Sequence, residues 1–200
     1  MSNDHVSEGR MHEPWGEGSS NDYRSLVIYS AIALALAFTI RFYVAAPYLV
    51  QGTSMDPTFH STDYLIIDRV SYRFGDPQRG DVVVFRFPQD PSRSFIKRVI
   101  GLPGETVSIK DQKVTVINDA HPDGFTIDEP YIATENLRES DTRVTLGKDE
   151  FFVMGDNRKA SADSRTWGTL PRNNITGRAL LRLYPFTSIG VNPGDATFDK

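Results

Sequence analysis

Apolar positions along this chain follow two regimes, which change over near residue 50. Residues 1 to 24 are rich in Gly, Ser, Asn, Asp and Glu without apolar periodicity, so they read as a disordered tail. From Leu26 to Ile40 the chain is almost uninterruptedly apolar, and past Arg41 the run resumes as Phe42-Tyr43-Val44-Ala45-Ala46. Together these supply about the 20 residues that a helix needs to cross a hydrocarbon core, which predicts a transmembrane helix over residues 25 to 46. Arg41 can snorkel to an interface, with Tyr43 and Tyr48 as aromatic anchors. Two other readings compete: a cleavable signal peptide with Val44-Ala45-Ala46 as its cleavage site, and a buried core helix. Charge gives a poor orientation signal, with Arg10 and Arg24 before the run and Arg41 at its far end.

Beyond Val50 the pattern becomes short β-branched and aromatic runs divided by Gly, Pro and Asp. Strands are predicted at 64–67, 82–85, 95–100, 106–109, 114–117, 151–154 and 179–183, so residues 47 to 200 read as a mainly antiparallel β domain. The interval from Asp111 to Lys148 is dense in Asp, Glu, Asn and Pro and otherwise reads as loops, with room for a hairpin. Two hundred residues allow one domain with a real core plus an anchor and a tail. Cysteine is absent, which excludes disulfides and thiolate metal sites. The net charge of -4 is mixed in sign and lacks a dense basic stripe, so nucleic acid is not an expected partner.

Four blocks carry candidate chemistry. Gly52-Thr53-Ser54-Met55-Asp56-Pro57-Thr58 places a serine just beyond the apolar run, although these residue types also make ordinary turns. Arg79-Gly80-Asp81-Val82-Val83-Val84-Phe85 follows, then Phe95-Ile96-Lys97-Arg98-Val99-Ile100-Gly101-Leu102-Pro103-Gly104-Glu105, and finally Met154-Gly155-Asp156-Asn157-Arg158-Lys159-Ala160-Ser161-Ala162-Asp163-Ser164-Arg165. A serine hydroxyl is a weak nucleophile at neutral pH and needs a base within hydrogen-bond reach. His5 and His12 lie in the tail and His121 in no recognisable block, which leaves His60 and Lys97 as rivals. A lysine serves only when neutral, and burial among side chains such as Phe95, Ile96, Val99 and Ile100 would lower its pKa. Asp156, Asn157, Arg158, Asp163 and Arg165 can satisfy one another in a semi-buried network; without EF-hand spacing or a His or Cys companion, no metal or other cofactor is expected there.

Taken in order, the four blocks resemble type I signal peptidases, the membrane-anchored serine proteases that remove signal peptides from exported proteins, over about residues 48 to 185. The resemblance implies an N-terminal transmembrane helix followed by an antiparallel β catalytic domain of the signal-peptidase and repressor-cleaving Ser-Lys type. It implies Ser54 as nucleophile, Lys97 as general base and Ser161 as the hydroxyl orienting the lysine amine, with Arg98 in an architectural role. The Ser54 backbone N–H matches the first oxyanion donor, while Gly52 stands where some members carry a second, serine donor. Asp156, Asn157, Arg158, Asp163 and Arg165 match support positions, and Met55, Phe95 and Ile96 match positions near the substrate, where small residues at -1 and -3 would be read. Pro47 would follow the cut of a cleavable leader, a place where this family is blocked by proline, which favours a retained anchor. The implied partners are preproteins with cleavable signal peptides and membrane lipid, and the implied location is a cell membrane with the N-terminus cytoplasmic and the catalytic domain outside. A repressor-cleaving peptidase lacks the last block and the anchor; a specialised signal peptidase and an inactive signal-peptide-binding module remain as alternatives.

Overall fold

The computed structural model describes residues 20–137, 140–196 and 198, so the tail expected over residues 1 to 24, with His5 and His12, lies largely outside the described residues. The chain divides into two units, Met1–Thr39 and Ile40–Lys200. Within the first, helix α1 spans Ser20–Thr39 and therefore takes in the last polar residues of the expected tail. Its apolar side chains are exposed on every side, including Leu26, Ile28, Ile32, Leu34, Leu36 and Phe38.

The membrane-length helix expected over residues 25 to 46 is not formed as such: among the described residues, no helix is long and apolar enough to cross a membrane. The apolar run is shared between different backbone conformations. Residues 26–39 lie in α1, a length of roughly 21 Å at the helical rise against about 30 Å of hydrocarbon. Ile40–Val44 form a π-helical turn, and Ala45–Leu49 form strand β1. Proline inside a helix removes a hydrogen bond and clashes with the preceding turn, whereas Pro47 is tolerated on β1, an edge strand paired with β2 (Tyr64–Asp68) through Pro47 opposite Ile66.

The second unit is built on antiparallel strands, in accord with the expected β domain. The remaining strands are β3 (Val82–Phe87), β4 (Asp90–Gly101), β5 (Thr106–Lys110), β6 (Lys113–Asn118), β7 (His121–Thr126), β8 (Thr142–Thr145), β9 (Glu150–Met154), β10 (Leu170–Pro171), β11 (Ile175–Tyr184) and β12 (Gly190–Val191). Two short helices, α2 (Ser71–Phe74) and α3 (Ser164–Trp167), interrupt them. The larger sheet runs β1-β2-β11-β3-β4-β9-β10 with β12 on β11, and a smaller one runs β7-β6-β5-β8.

The run Val82-Val83-Val84-Phe85 reads as continuously apolar because its strand is buried on both faces. Val82 and Val84 join a core with Val50, Met55, Phe59, Leu65, Ile67, Ile96 and Ala179, while Val83 and Phe85 face a second core with Val99, Phe151, Val153 and Leu170. A third core lies between the sheets and holds Ile100, Val107, Ile109, Val114, Val116, Leu146, Phe152 and Met154. The interval from Asp111 to Lys148 contains more structure than its composition predicts. Strand β7 carries Pro122 and Gly124 yet pairs with β6 at a sheet edge, where a missing N–H is tolerated, and β8 pairs with β5 through alternating residues Thr142 to Thr145.

Gly101, at the end of β4, sits where the third core closes on the strand that also carries Lys97. An added Cβ there would meet Val107 Cγ2 at 2.4 Å, Leu146 Cδ1 at 2.8 Å and Phe152 Cβ at 3.0 Å. Gly101→Ala should therefore destabilise the protein by about 1–3 kcal/mol through overpacking. Gly190→Ala, with nothing within 4 Å of the new Cβ, should change stability by less than about 0.5 kcal/mol. Urea midpoints measured in detergent test this, and equal midpoints for the two variants would refute the packing account.

Candidate functional site

Ser54 lies on the turn that leaves β1 and Lys97 lies on β4, and their chain neighbours Met55 and Ile96 share the first core. The turn is closed by the Asp56 N–H donating to Thr53 O at 3.2 Å and the Phe59 N–H to Met55 O at 2.9 Å. Met55 and Phe59 anchor it, exposed by only 1% and 0%. The Asn157 N–H donates to Ser54 O at 3.1 Å, tying the turn to the loop after β9. Lys97 pairs with Val83 across β3, and its Nζ lies 2.7 Å from Ser54 Oγ and 2.8 Å from Ile96 O. The Phe95 ring centroid is 5.5 Å from the same nitrogen.

Burial dominates the electrostatics of Lys97. Taken out of water, its ammonium is disfavoured and its pKa falls to about 8, although Asp163 and Asp156 pull the other way. Each of these carboxylates is already held by an arginine. Asp156 accepts from Arg98 Nε at 2.9 Å and Nη2 at 2.6 Å, and from Thr58 Oγ1 at 2.5 Å. Asp163 accepts from Arg165 Nε and Nη2, each at 2.8 Å, and from the Gly155 N–H at 3.1 Å. Burial opposes ionisation of Asp163, yet Arg165 and these hydrogen bonds keep its pKa below the usual carboxylate range. A third pair joins Arg158 to Glu129, with Arg158 Nε donating to Gly155 O at 3.0 Å.

The five residues expected to form a network are thus brought together, and all but Arg165 are buried. Asn157 closes the loop by accepting the Ala160 N–H at 3.1 Å. Thr58, Glu129 and Tyr131 also belong to the network without having been expected there. Thr58 stands inside the serine-bearing block, a signal that was available, whereas Glu129 and Tyr131 come from an interval with only loop composition. Tyr131 donates to Glu129 Oε1 at 2.7 Å, and its ring lies 3.9 Å from the Arg98 guanidinium carbon.

Ser161 is buried; its Oγ makes no hydrogen bond of ordinary geometry to Lys97, and its hydroxyl instead helps Arg165 to hold the Asp163 carboxyl below the usual carboxylate range. His60 turns away from the site: its side chain is 64% exposed and its Nε2 lies 3.1 Å from Asp56 Oδ1. Of the three expected substrate contacts, Met55 and Ile96 are enclosed in the first core, while Phe95 is half-buried. Phe95 lines a groove of about 430 Å³ with Tyr48, Leu49, Gln51, Arg93 and Ser94. This groove begins three residues before Ser54 on one wall and two before Lys97 on the other.

The sequence matches the family described as signal peptidase, peptidase S26, over residues 23–184. Similar proteins include a probable signal peptidase I-1 of Synechocystis sp., 41% identical over 80% of this chain and 81% of the relative. A signal peptidase I of Leptolyngbya laminosa is 40% identical over 80% of this chain and 78% of its own, and one of Bacillus licheniformis is 35% identical over 86% and 96%. With most of both chains aligned and the serine, lysine and arginine–carboxylate blocks inside the matched span, this chain belongs to the signal peptidase family, peptidase S26, and is a serine endopeptidase.

Proposed function

We propose that this protein removes signal peptides from exported preproteins, with Ser54 as nucleophile and Lys97 as general base. The observation that carries this is the 2.7 Å contact between the amine of a buried Lys97 and Ser54 Oγ. In the neutral form that burial favours, the amine takes the hydroxyl proton as Ser54 Oγ attacks the scissile carbonyl. The resulting ammonium gives that proton to the leaving amine, which departs as the acyl-enzyme forms. Lys97 then deprotonates a water that attacks the ester, and the proton returns to Ser54 as the new carboxyl end is released. The Ser54 N–H donates to no described residue, which leaves it free for the oxyanion. Gly52 offers no hydroxyl for a second donor.

Ser161 serves here as the residue that orients the amine. Support comes from Gly155, whose bare face touches both sides of the site: an added Cβ would fall 2.3 Å from Ser54 O and 2.3 Å from Ser161 Oγ. The Ser161 hydroxyl is buried beside the nucleophile's own backbone and also acts on the Asp163 carboxylate, one of the two carboxylates whose charge reaches Lys97. Asp156, Asn157, Arg158, Asp163 and Arg165 hold the loop on which Ser161 rides.

The substrate lies extended in the groove. Strand β1 is a sheet edge, and the Phe95–Lys97 part of β4 pairs only with β3, since pairing with β9 begins at Arg98. A peptide laid there sends alternate side chains to one side, so positions -1 and -3 face the enzyme. Phe95 walls that side, and small residues at -1 and -3 are the ones that the family resemblance implies; Met55 and Ile96, enclosed in the first core, support the turn and strand rather than lining the groove. Membrane lipid covers the apolar part of α1, residues 26–39, because a helix apolar on every face is stable there and not in water. The β domain then works at the outer face, the orientation that the family resemblance implies.

Three outcomes are expected. In a cleavage assay with a preprotein carrying alanine at -1 and -3, Ser54→Ala and Lys97→Ala should each reduce kcat/KM by roughly a thousandfold or more, and His60→Ala should leave it nearly unchanged. Phenylalanine at -1 should slow cleavage by about a hundredfold, through misplacement of the carbonyl. Loss of activity on His60→Ala with Lys97→Ala active would overturn the assignment. Secondly, kcat/KM should rise with pH and level off above an apparent pKa of about 8, because only the neutral Lys97 amine accepts a proton. A flat profile from pH 5 to about 10, with chemistry rate-limiting, would exclude this base. Thirdly, the full chain should resist extraction by alkaline carbonate and yield to detergent; release by carbonate would refute burial in lipid.

A further inference from the structure

We infer that Arg93 is a specificity-determining residue, reading the charge of the preprotein side chain about four residues beyond the one next to the cut, at position -5. This rests on the function proposed above.

The local fold puts a cation where few side chains could place one. The hairpin between β3 and β4 turns through Pro88 and Gln89, and its register then shifts, so that Phe87 faces Asp90 whereas Arg86 faces Ser94. The residues between, Pro91 to Arg93, form a bulge on the β4 side, and bulges re-aim the side chains that they carry. The Arg93 guanidinium carbon comes to lie 5.0 Å from the Phe95 ring centroid and 6.0 Å from that of Phe87. Stacking on two aromatic rings restrains an otherwise flexible arm.

Restraint is combined with a charge that no ion pair neutralises. Arg93 makes no ion pair among the described residues. Asp90, the nearby carboxylate on the same hairpin, is held by the Ser92 N–H at 3.2 Å and Ser92 Oγ at 2.6 Å, and it feels the Arg93 charge from a distance without forming an ion pair with it. The other walls of the groove, Tyr48, Leu49, Gln51, Ser94 and Phe95, carry no charge, so Arg93 is the charged side chain among those lining it. Four residues separate Arg93 from Lys97, at most about 13 Å along a strand, and an extended substrate covers that length in the same number of residues. With -1 beside Lys97 and -3 beside Phe95, position -5 comes under the guanidinium. An acidic side chain there is attracted and a lysine or arginine repelled, by the modest amount that solvent-exposed pairs allow.

The test uses the full-length protein in detergent and three preproteins that differ only at -5, with alanine, glutamate or lysine. The quantity read is the ratio of kcat/KM for glutamate over lysine within each enzyme, so that any overall change in activity cancels. Wild type should favour glutamate by roughly three- to tenfold at low salt, with the ratio shrinking toward one in about 0.5 M salt. Arg93→Gln should abolish the preference and Arg93→Glu should invert it. The same ratio in wild type and Arg93→Glu, or a charge preference at some other position that Arg93→Glu leaves in place, would overturn the proposal. The alanine substrate separates the two levels: if it is cut by wild type and spared by Ser54→Ala while the ratio stays at one, only the role of Arg93 fails. If Ser54→Ala cuts it as well as wild type does, the proposed function itself fails.

Discussion

The bidentate pair between Arg98 and Asp156 is the interaction on which the rest of the site depends. Both side chains are fully enclosed, at 0% and 1% exposure, and two enclosed charges are tolerable only when their geometry satisfies them. Here it does. The carboxylate has two guanidinium contacts and the Thr58 hydroxyl, and Arg98 also donates to Gly80 O at 3.0 Å and to Gly194 O. One ion pair thus joins the strand that carries Lys97, the loop after β9, the turn that carries Ser54 and the segment after β12. Removing either partner would leave an uncompensated charge in the interior, at a cost on the order of 3–5 kcal/mol.

Around this pair the charges are arranged so that Lys97 remains the odd one. Arg98 faces Asp156, Arg165 faces Asp163 and Arg158 faces Glu129. Each carboxylate that acts on Lys97 is paired with a guanidinium of its own, and its pull on the ammonium is smaller than the effect of burial. Desolvation therefore outweighs attraction, and the pKa of the amine falls to about 8 from 10.5. An arginine cannot give up its proton at such a pH, which is why one buried cation position carries lysine and its neighbours do not.

How far the sequence reveals this arrangement depends on whether a feature is local. Ser54, Lys97 and the residues from Asp156 to Arg165 lie in short contiguous blocks, and their residue types announce their chemistry. Glu129 and Tyr131 could not be read, because their contacts with Arg158 and Arg98 join positions about 30 residues apart through a segment of turn-like composition. Strands such as β3, buried on both faces, were legible from apolar runs, whereas β7 was hidden by Pro122 and Gly124, which only an edge position admits. Hydropathy treated residues 26 to 46 as one segment because it measures burial in apolar surroundings and not backbone conformation. Pairing with β2 claims the last residues of that run for a strand.

Pro47 has a consequence for how copies of this protein meet one another. An open sheet edge is a template for the same edge of a neighbouring molecule, and such zippering proceeds residue by residue along uninterrupted donors and acceptors. Proline has no N–H to offer, and in β1 it occupies the middle of five residues. A second β1 approaching edge-on meets that gap in the middle of the strand, so the interruption discourages continuous self-assembly.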